Sequence, residues 1–113
     1  MFLVSIHVNA ARMAKCIRLD VYVCQGQTQS YKLAESLCLA AIKNFPGRRI
    51  RAHFSDADRD WEEGFYTLRK SLCVAILTEN FFMDSKSDLE YLQSRAGKQA
   101  VVNTHVEGIV DWL

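Results

Sequence analysis

The residues of this chain best suited to chemistry are carboxylates. Asp56, Asp58, Asp60, Glu62, Glu63, Glu79 and Glu90 fall in or beside segments that join strand-like to helix-like patterns. Glu90 has the sharpest catalytic reading. It stands near the start of a helix pattern, one position round from Leu89, which is expected to be buried. From there it can face a crevice and polarise a sugar hydroxyl or stabilise a developing cation. The same segment, Ser87-Asp88-Leu89-Glu90, has the S-x-x-E form of a capping box, and that role is placed ahead of catalysis. Asp56-x-Asp58-x-Asp60 opens like a calcium loop, but Trp61 stands where the loop needs Gly and Thr67 where it needs Glu. No metal site is expected.

Other catalytic patterns are absent. His7 and His53 sit in apolar or alternating segments and His105 follows a cap signal, so each is read as structural. No Ser-His-Asp or Cys-His arrangement is evident. Gln25-Gly26-Gln27 carries one glycine where a dinucleotide fingerprint needs three. Arg59-Asp60-Trp61-Glu62-Glu63-Gly64 is an acidic turn with a conspicuous tryptophan. Such a residue either packs back into the loop base, the commoner outcome, or meets a partner.

Composition narrows the class. The chain has 113 residues, half of them hydrophobic, and a formal net charge of +1. That charge is too small for a general nucleic-acid binder, which needs a concentrated basic surface. The four cysteines form no CxxC pair. Cys24, Cys38 and Cys73 lie in apolar segments and are read as reduced, which favours an intracellular, cytoplasmic setting. Residues 1–8 are apolar, yet they lack a basic leader and fall far short of the ~20 residues of a membrane span. Residues 1–15 are taken as an extension, or the remnant of a longer parent, and residues 16–113 as the domain.

These groups must be positioned by alternating elements. Residues 17–24 read as a strand ending at Gln25-Gly26-Gln27. Residues 31–45 carry Leu33, Leu37, Ala41 and Phe45 at helical spacing and stop at Pro46-Gly47. Residues 49–54 alternate as a half-exposed strand, with Arg48, Arg49 and Arg51 blunting a sheet edge. Phe65, Leu68 and Leu72 form a short helical stripe. Residues 72–78 are a continuous apolar run, residues 89–96 a helix closed by Gly97, and residues 99–103 a fourth strand. Thr104-x-x-Glu107 reads as a capping box for a last helix through Val106, Ile109, Val110 and Leu113. The alternation implies an α/β fold with a parallel sheet. Its ligands would sit at the carboxyl ends of the strands.

The ordered set of local signals resembles the Toll/interleukin-1 receptor (TIR) domain family. Leu19-Asp20-Val21-Tyr22-Val23-Cys24 is similar to its first box and Arg59-Asp60-Trp61-Glu62-Glu63-Gly64 to its second, with Glu63 in place of proline. Leu77-Thr78-Glu79-Asn80-Phe81 is similar to the ending of its third strand. Glu90 falls at the glutamate of its WxxxE-type helix, with Lys86 at the tryptophan. The chain lacks the family's fifth strand and last helix, as in a short member. The resemblance implies a flavodoxin-like three-layer sandwich with a four-stranded parallel sheet in order 2-1-3-4. It implies an innate-immune signalling module that binds itself or other TIR domains, through Arg59, Asp60, Trp61, Glu62, Glu63 and Gly64. The alternative is NAD hydrolysis with Glu90 as catalyst and Gln25, Gly26 and Gln27 at the nucleotide, NAD being a substrate and no cofactor required. A weaker alternative is a nucleoside deoxyribosyltransferase-like enzyme.

Overall fold

The computed structural model describes residues 1–10, 18–23, 28–53, 68 and 70–113. Within them the elements run β1 (Phe2–Asn9), β2 (Arg18–Val23), α1 (Thr28–Asn44), β3 (Arg49–His53), β4 (Val74–Phe82), α2 (Lys86–Gln93) and α3 (Arg95–Trp112). The strands form one sheet in the order β1-β4-β2-β3. β1 and β4 are parallel, as are β2 and β3, but β2 meets β4 antiparallel.

The α/β class stands, while the all-parallel sheet in order 2-1-3-4 is corrected. Alternating elements imply a parallel sheet only when every connection crosses back over it. Here two parallel pairs run in opposite directions and join at β2–β4, giving a mixed sheet. The expected fourth strand at residues 99–103 lies inside α3. Its β-branched Val101-Val102 is overridden by a period of 3.6, in which Gly97, Thr104, His105 and Gly108 are buried along one stripe. Thr104 is therefore interior: its hydroxyl donates to Ala100 O at 2.8 Å rather than capping a helix start. The remaining strand is β1, which lies in residues expected to be an extension and pairs along β4 from Phe2↔Val74 to His7↔Glu79.

The strands' two faces differ because side chains alternate. Leu19, Val21 and Val23 of β2 and Ile76 of β4 point to one face. There they form a core with Leu33, Ala34, Leu37 and Ala41 of α1, joined by Phe2 and Val4 of β1 and by Val101 and Ile109 of α3. α1 and α3 pack closely enough that a Cβ on Gly108 would stand 2.9 Å from Leu37 Cα. Ser36 Oγ donates to Gly108 O at 2.7 Å across the same contact. On the other face, hereafter the far face, the described cover is slight: Leu68 packs with Ala75 and Leu77, joined by Leu3 and Tyr22.

The break between α2 and α3 is at Ser94, not Gly97. Ser94 ends α2, and its hydroxyl accepts from Gly97 N at 3.0 Å to start α3. Gly97 sits in the first turn because a Cβ there would collide with Tyr91 O. α2 starts at Ser85, whose side chain accepts from Asp88 N at 3.4 Å, so the Ser87–Glu90 capping box is not used. Asp88 is buried and Leu89 is 38% exposed, the reverse of the expected pattern.

Candidate functional site

Strand pairing places four polar residues in one row across the far face. His7 of β1 is opposite Glu79 of β4, Glu79 is opposite Asp20 of β2, and Asp20 is opposite Arg51 of β3. His7 Nδ1 lies 3.8 Å from Glu79 Oε1. The imidazole's other nitrogen, Nε2, is 2.9 Å from Ser5 Oγ, two residues back on the same face. Ser5 thus orients the ring, and a half-buried histidine stands over a carboxylate that is only 8% exposed.

Two carboxylates directly opposite each other on neighbouring strands repel. The structure offsets this with cations. Arg18 Nε donates to Asp20 Oδ2 at 2.8 Å, with Asp20 fully buried. The field of the row is felt at Tyr22, whose phenol is pushed up to about 12, first by burial, then by Asp20 and Glu79, against the opposing pull of Arg18 and Arg51.

The strand that carries Glu79 is irregular just beyond it. Between His7 and Asn9, β1 advances two residues while β4 advances three, from Glu79 to Phe82. This is a β-bulge, and Phe81 sits in it with φ of 63°, a left-handed conformation that non-glycine residues adopt at a cost. The bulge turns Phe81 to the helix side, against Phe45 and Tyr91 with ring centroids 5.0 and 6.0 Å away. Arg48 stacks over Phe81 and Tyr91 at 4.9 and 4.1 Å and reaches the buried Asp88 at 3.5 Å. Asp88 in turn accepts from Phe82 N at 3.1 Å. Backbone strain of this kind clusters at functional sites and persists where the surroundings over-determine it.

Of the residues expected to act, Glu90 is exposed on α2 and apart from this row. Arg59, Asp60, Trp61, Glu62, Glu63 and Gly64, and also Gln25, Gly26 and Gln27, lie outside the described residues. His7, read as structural, is instead the partner of Glu79. The signal was available in the polar Ser5, His7 and Asn9 alternating with Val4, Ile6 and Val8, and in a carboxylate interrupting an apolar strand. A cleft of about 440 Å³ also touches His7, but from the helix side, between Ile6, Val8, Leu92, Val101 and Val102.

Residues 1–111 match the sequence profile of the N-acetylmuramoyl-L-alanine amidases. The chain belongs to that family. In structure it is similar to the N-acetylmuramoyl-L-alanine amidase of Clostridium difficile 630 (TM-score 0.79, 22% identity, 98% of this chain and 56% of that one). It is also similar to the amidase AmiC2 of Nostoc punctiforme (TM-score 0.75, 26% identity, 98% and 57%). A third likeness is to the CwlD amidase of Clostridioides difficile, solved in complex with the GerS lipoprotein (TM-score 0.77, 18% identity, 98% and 53%). The chain thus spans little more than half the length of these amidases. A search of curated proteins found no match.

Membership of the amidases overturns the TIR resemblance. With it fall innate-immune signalling, association with TIR-type domains, NAD cleavage and the deoxyribosyltransferase alternative. The partner in the CwlD structure is a lipoprotein, not a TIR domain. The resemblance misled for a physical reason. Short apolar strands flanked by polar turns recur in every α/β sheet, and three degenerate boxes in order do not distinguish parallel from mixed pairing. Leu77-Thr78-Glu79-Asn80-Phe81 resembles a strand ending, whereas here Glu79 faces the row of polar residues, Thr78 and Asn80 face the helices, and Phe81 sits in the bulge.

An imidazole and a carboxylate side by side can bind a metal or handle protons. A catalytic zinc is held by three protein ligands with a fourth position open. Among the described residues no group of three or more His, Cys, Asp or Glu side chains converges. His7 fits as one ligand of such a centre, with Glu79 beside it to handle the proton, and the other ligands would come from elsewhere. No helix among the described residues is long and apolar enough to cross a membrane.

Proposed function

We propose that the chain carries part of the hydrolytic centre of a peptidoglycan amidase, which cleaves the amide between N-acetylmuramic acid and L-alanine. The observation that supports this reading is the juxtaposition of His7 and Glu79, 3.8 Å apart on adjacent strands, in a chain whose residues 1–111 match the amidase family.

Amide hydrolysis requires an attacking water to lose a proton and a leaving amine to gain one. Glu79 is placed to accept the first proton and return it to the amine: it is nearly buried, its carboxylate borders the half-buried His7 ring, and a base at hydrogen-bond reach is what such a step needs. His7, steadied by Ser5, lines the approach and can donate to the developing oxyanion or hold the water. A metal held with His7 as one of its ligands would supply Lewis-acid polarisation of the carbonyl, leaving Glu79 free as the base. Asp20 and Arg18 keep the neighbouring strand's charge paired, so that Glu79 faces His7 rather than competing for Arg18.

The test uses purified peptidoglycan and scores newly exposed L-alanine amino groups. Glu79→Gln keeps the shape and removes the base, and the expected loss is on the order of 10²–10⁴ in rate. A Glu79→Gln protein that releases L-alanine termini as fast as the parent sinks this reading.

A further inference from the structure

Glu79 is bracketed by Thr78 and Asn80, whose side chains turn to the helix side and join a buried chain of hydrogen bonds. It begins on α3, where His105 Nδ1 is 2.7 Å from Val101 O. His105 Nε2 is 2.8 Å from Thr78 Oγ1. Asn80 Nδ2 donates to Thr78 Oγ1 at 3.0 Å and to His7 O at 3.0 Å.

With a neutral ring the polarity of every link follows. A carbonyl only accepts, so Nδ1 of His105 carries the proton. The neutral ring then offers a lone pair at Nε2, and the Thr78 hydroxyl must donate to it. With its hydrogen committed, Thr78 Oγ1 is an acceptor for Asn80. The second Asn80 amide hydrogen is left for the His7 carbonyl. Flipping the Asn80 amide would set oxygen against oxygen at both ends. Asn80 Oδ1 is left without a hydrogen bond among the described residues, a cost the two donated bonds offset.

We propose that His105 is a positioning residue for the His7–Glu79 pair, acting through Thr78 and Asn80 on the His7 carbonyl. The chain ends at the last residue of β1 before the register shift: His7 still pairs with Glu79, and the bulge follows it. The Asn80 amide adds a side-chain bond to the His7 carbonyl at that edge, and His105 fixes the Thr78 rotor that aims it. A buried, 5% exposed histidine in the α1–α3 layer is otherwise an expensive choice where an aliphatic side chain would pack. Burial also holds the His105 ring below its ordinary pKa, which favours the neutral form from which these bond directions follow. The role in catalysis rests on the amidase reading, whereas the geometry does not.

Nuclear magnetic resonance of the full chain tests the geometry without any activity. In the unsubstituted protein the His105 ring is expected neutral with its proton on Nδ1, and a proton on Nε2 overturns the proposal. Thr78→Val and His105→Phe keep the volume and cut the chain. They are expected to shift the His7 carbonyl carbon and the Glu79 carboxyl carbon. Thr78→Ser and His105→Gln restore the hydroxyl and the acceptor and are expected to leave both carbons in place. Unmoved carbons in folded Thr78→Val and His105→Phe also overturn it. If either fails to fold, the tautomer of the unsubstituted chain still decides.

On peptidoglycan, Thr78→Val is expected to lower kcat about tenfold with KM unchanged, rescued by Thr78→Ser. A folded Thr78→Val with the parent kcat ends the catalytic role. If instead Glu79→Gln retains full hydrolysis, the amidase reading fails while the resonance shifts still judge the positioning chain.

Discussion

The two faces of the sheet are built from the same strands and follow opposite rules. On the helix side, Leu19, Val21, Val23 and Ile76 are at most 1% exposed, and polar groups that intrude, such as Thr78, Asn80 and His105, are joined by hydrogen bonds. On the far face, alternate residues of those strands set Asp20 against Glu79 and Glu79 beside His7. A fold optimised only for stability would not place two carboxylates opposite each other, nor put phenylalanine at positive φ one turn of the pleat later. The comparison teaches that parity divides the labour in this sheet. One set of positions holds the layers together, and the other accepts electrostatic cost for chemistry.

The widest split between the faces comes from substituting each alone. Glu79→Gln is expected to lower L-alanine release by at least about a hundredfold, with the midpoint of urea unfolding unchanged or raised because the Asp20–Glu79 repulsion is relieved. Leu37→Ala, at a fully buried position against Gly108, is expected to cost about 2–5 kcal/mol of stability. Folded Leu37→Ala at low temperature should keep most of its rate per molecule. Equal effects of both substitutions on both readouts would erase the distinction between the faces.

The helix face was largely legible in the sequence. Leu33, Leu37, Ala41 and Phe45 announced α1, Pro46-Gly47 its end, and the apolar run after Leu72 the central strand, because burial imposes a period that composition reveals. The far face was much less so. Ser5, His7 and Asn9 alternate with apolar residues, yet a lone short strand without turn signals reads as an extension. Its partner β4 lies about seventy residues away, and pairing at that distance leaves no local mark. Direction failed for the same cause: a sequence of alternating elements does not record that β4 runs against β2. Val101-Val102 shows the converse, where strong strand propensity yields to the buried helical stripe of Gly97, Thr104, His105 and Gly108.

A finer test concerns a titratable group that the helix face buries. His105 has its pKa lowered from 6.5 by burial, partly countered by its bond to Val101 O. Above about pH 6.5 the ring is neutral in folded and unfolded chains alike and contributes no pH dependence. Below that value the unfolded chain takes up a proton that the folded chain refuses. Stability therefore falls as pH drops below 6.5, and the fall levels off once pH is beneath the folded pKa. Urea unfolding at a series of pH values should show this slope, and His105→Gln should flatten it. A slope that survives His105→Gln unchanged would place the cause in another group.

The smallest expected effect probes whether the far-face row acts as one electrostatic unit. Tyr22 is raised from 10.0 to about 12, with burial the first cause and Asp20 and Glu79 the next. Between those two values the folded chain keeps the phenol proton and the unfolded chain has lost it. The stability this contributes is present in full below pH 10 and is lost as pH climbs through about 12. Because burial leads, Asp20→Asn should bring the midpoint down only part of the way towards 10.0. Arg18→Met should push it further up, since Arg18 opposes the rise. Ultraviolet titration of tyrosinate, with Tyr22→Phe subtracted to isolate this phenol from the other three, reads the shift. If Asp20→Asn and Arg18→Met leave the midpoint where it is, burial alone raises Tyr22. The carboxylates and arginines of the row would then be neighbours in register without being coupled in charge. Shifts of opposite sign would instead show that Asp20 and Arg18 act on the phenol as one field along β2, the strand directly opposite Glu79.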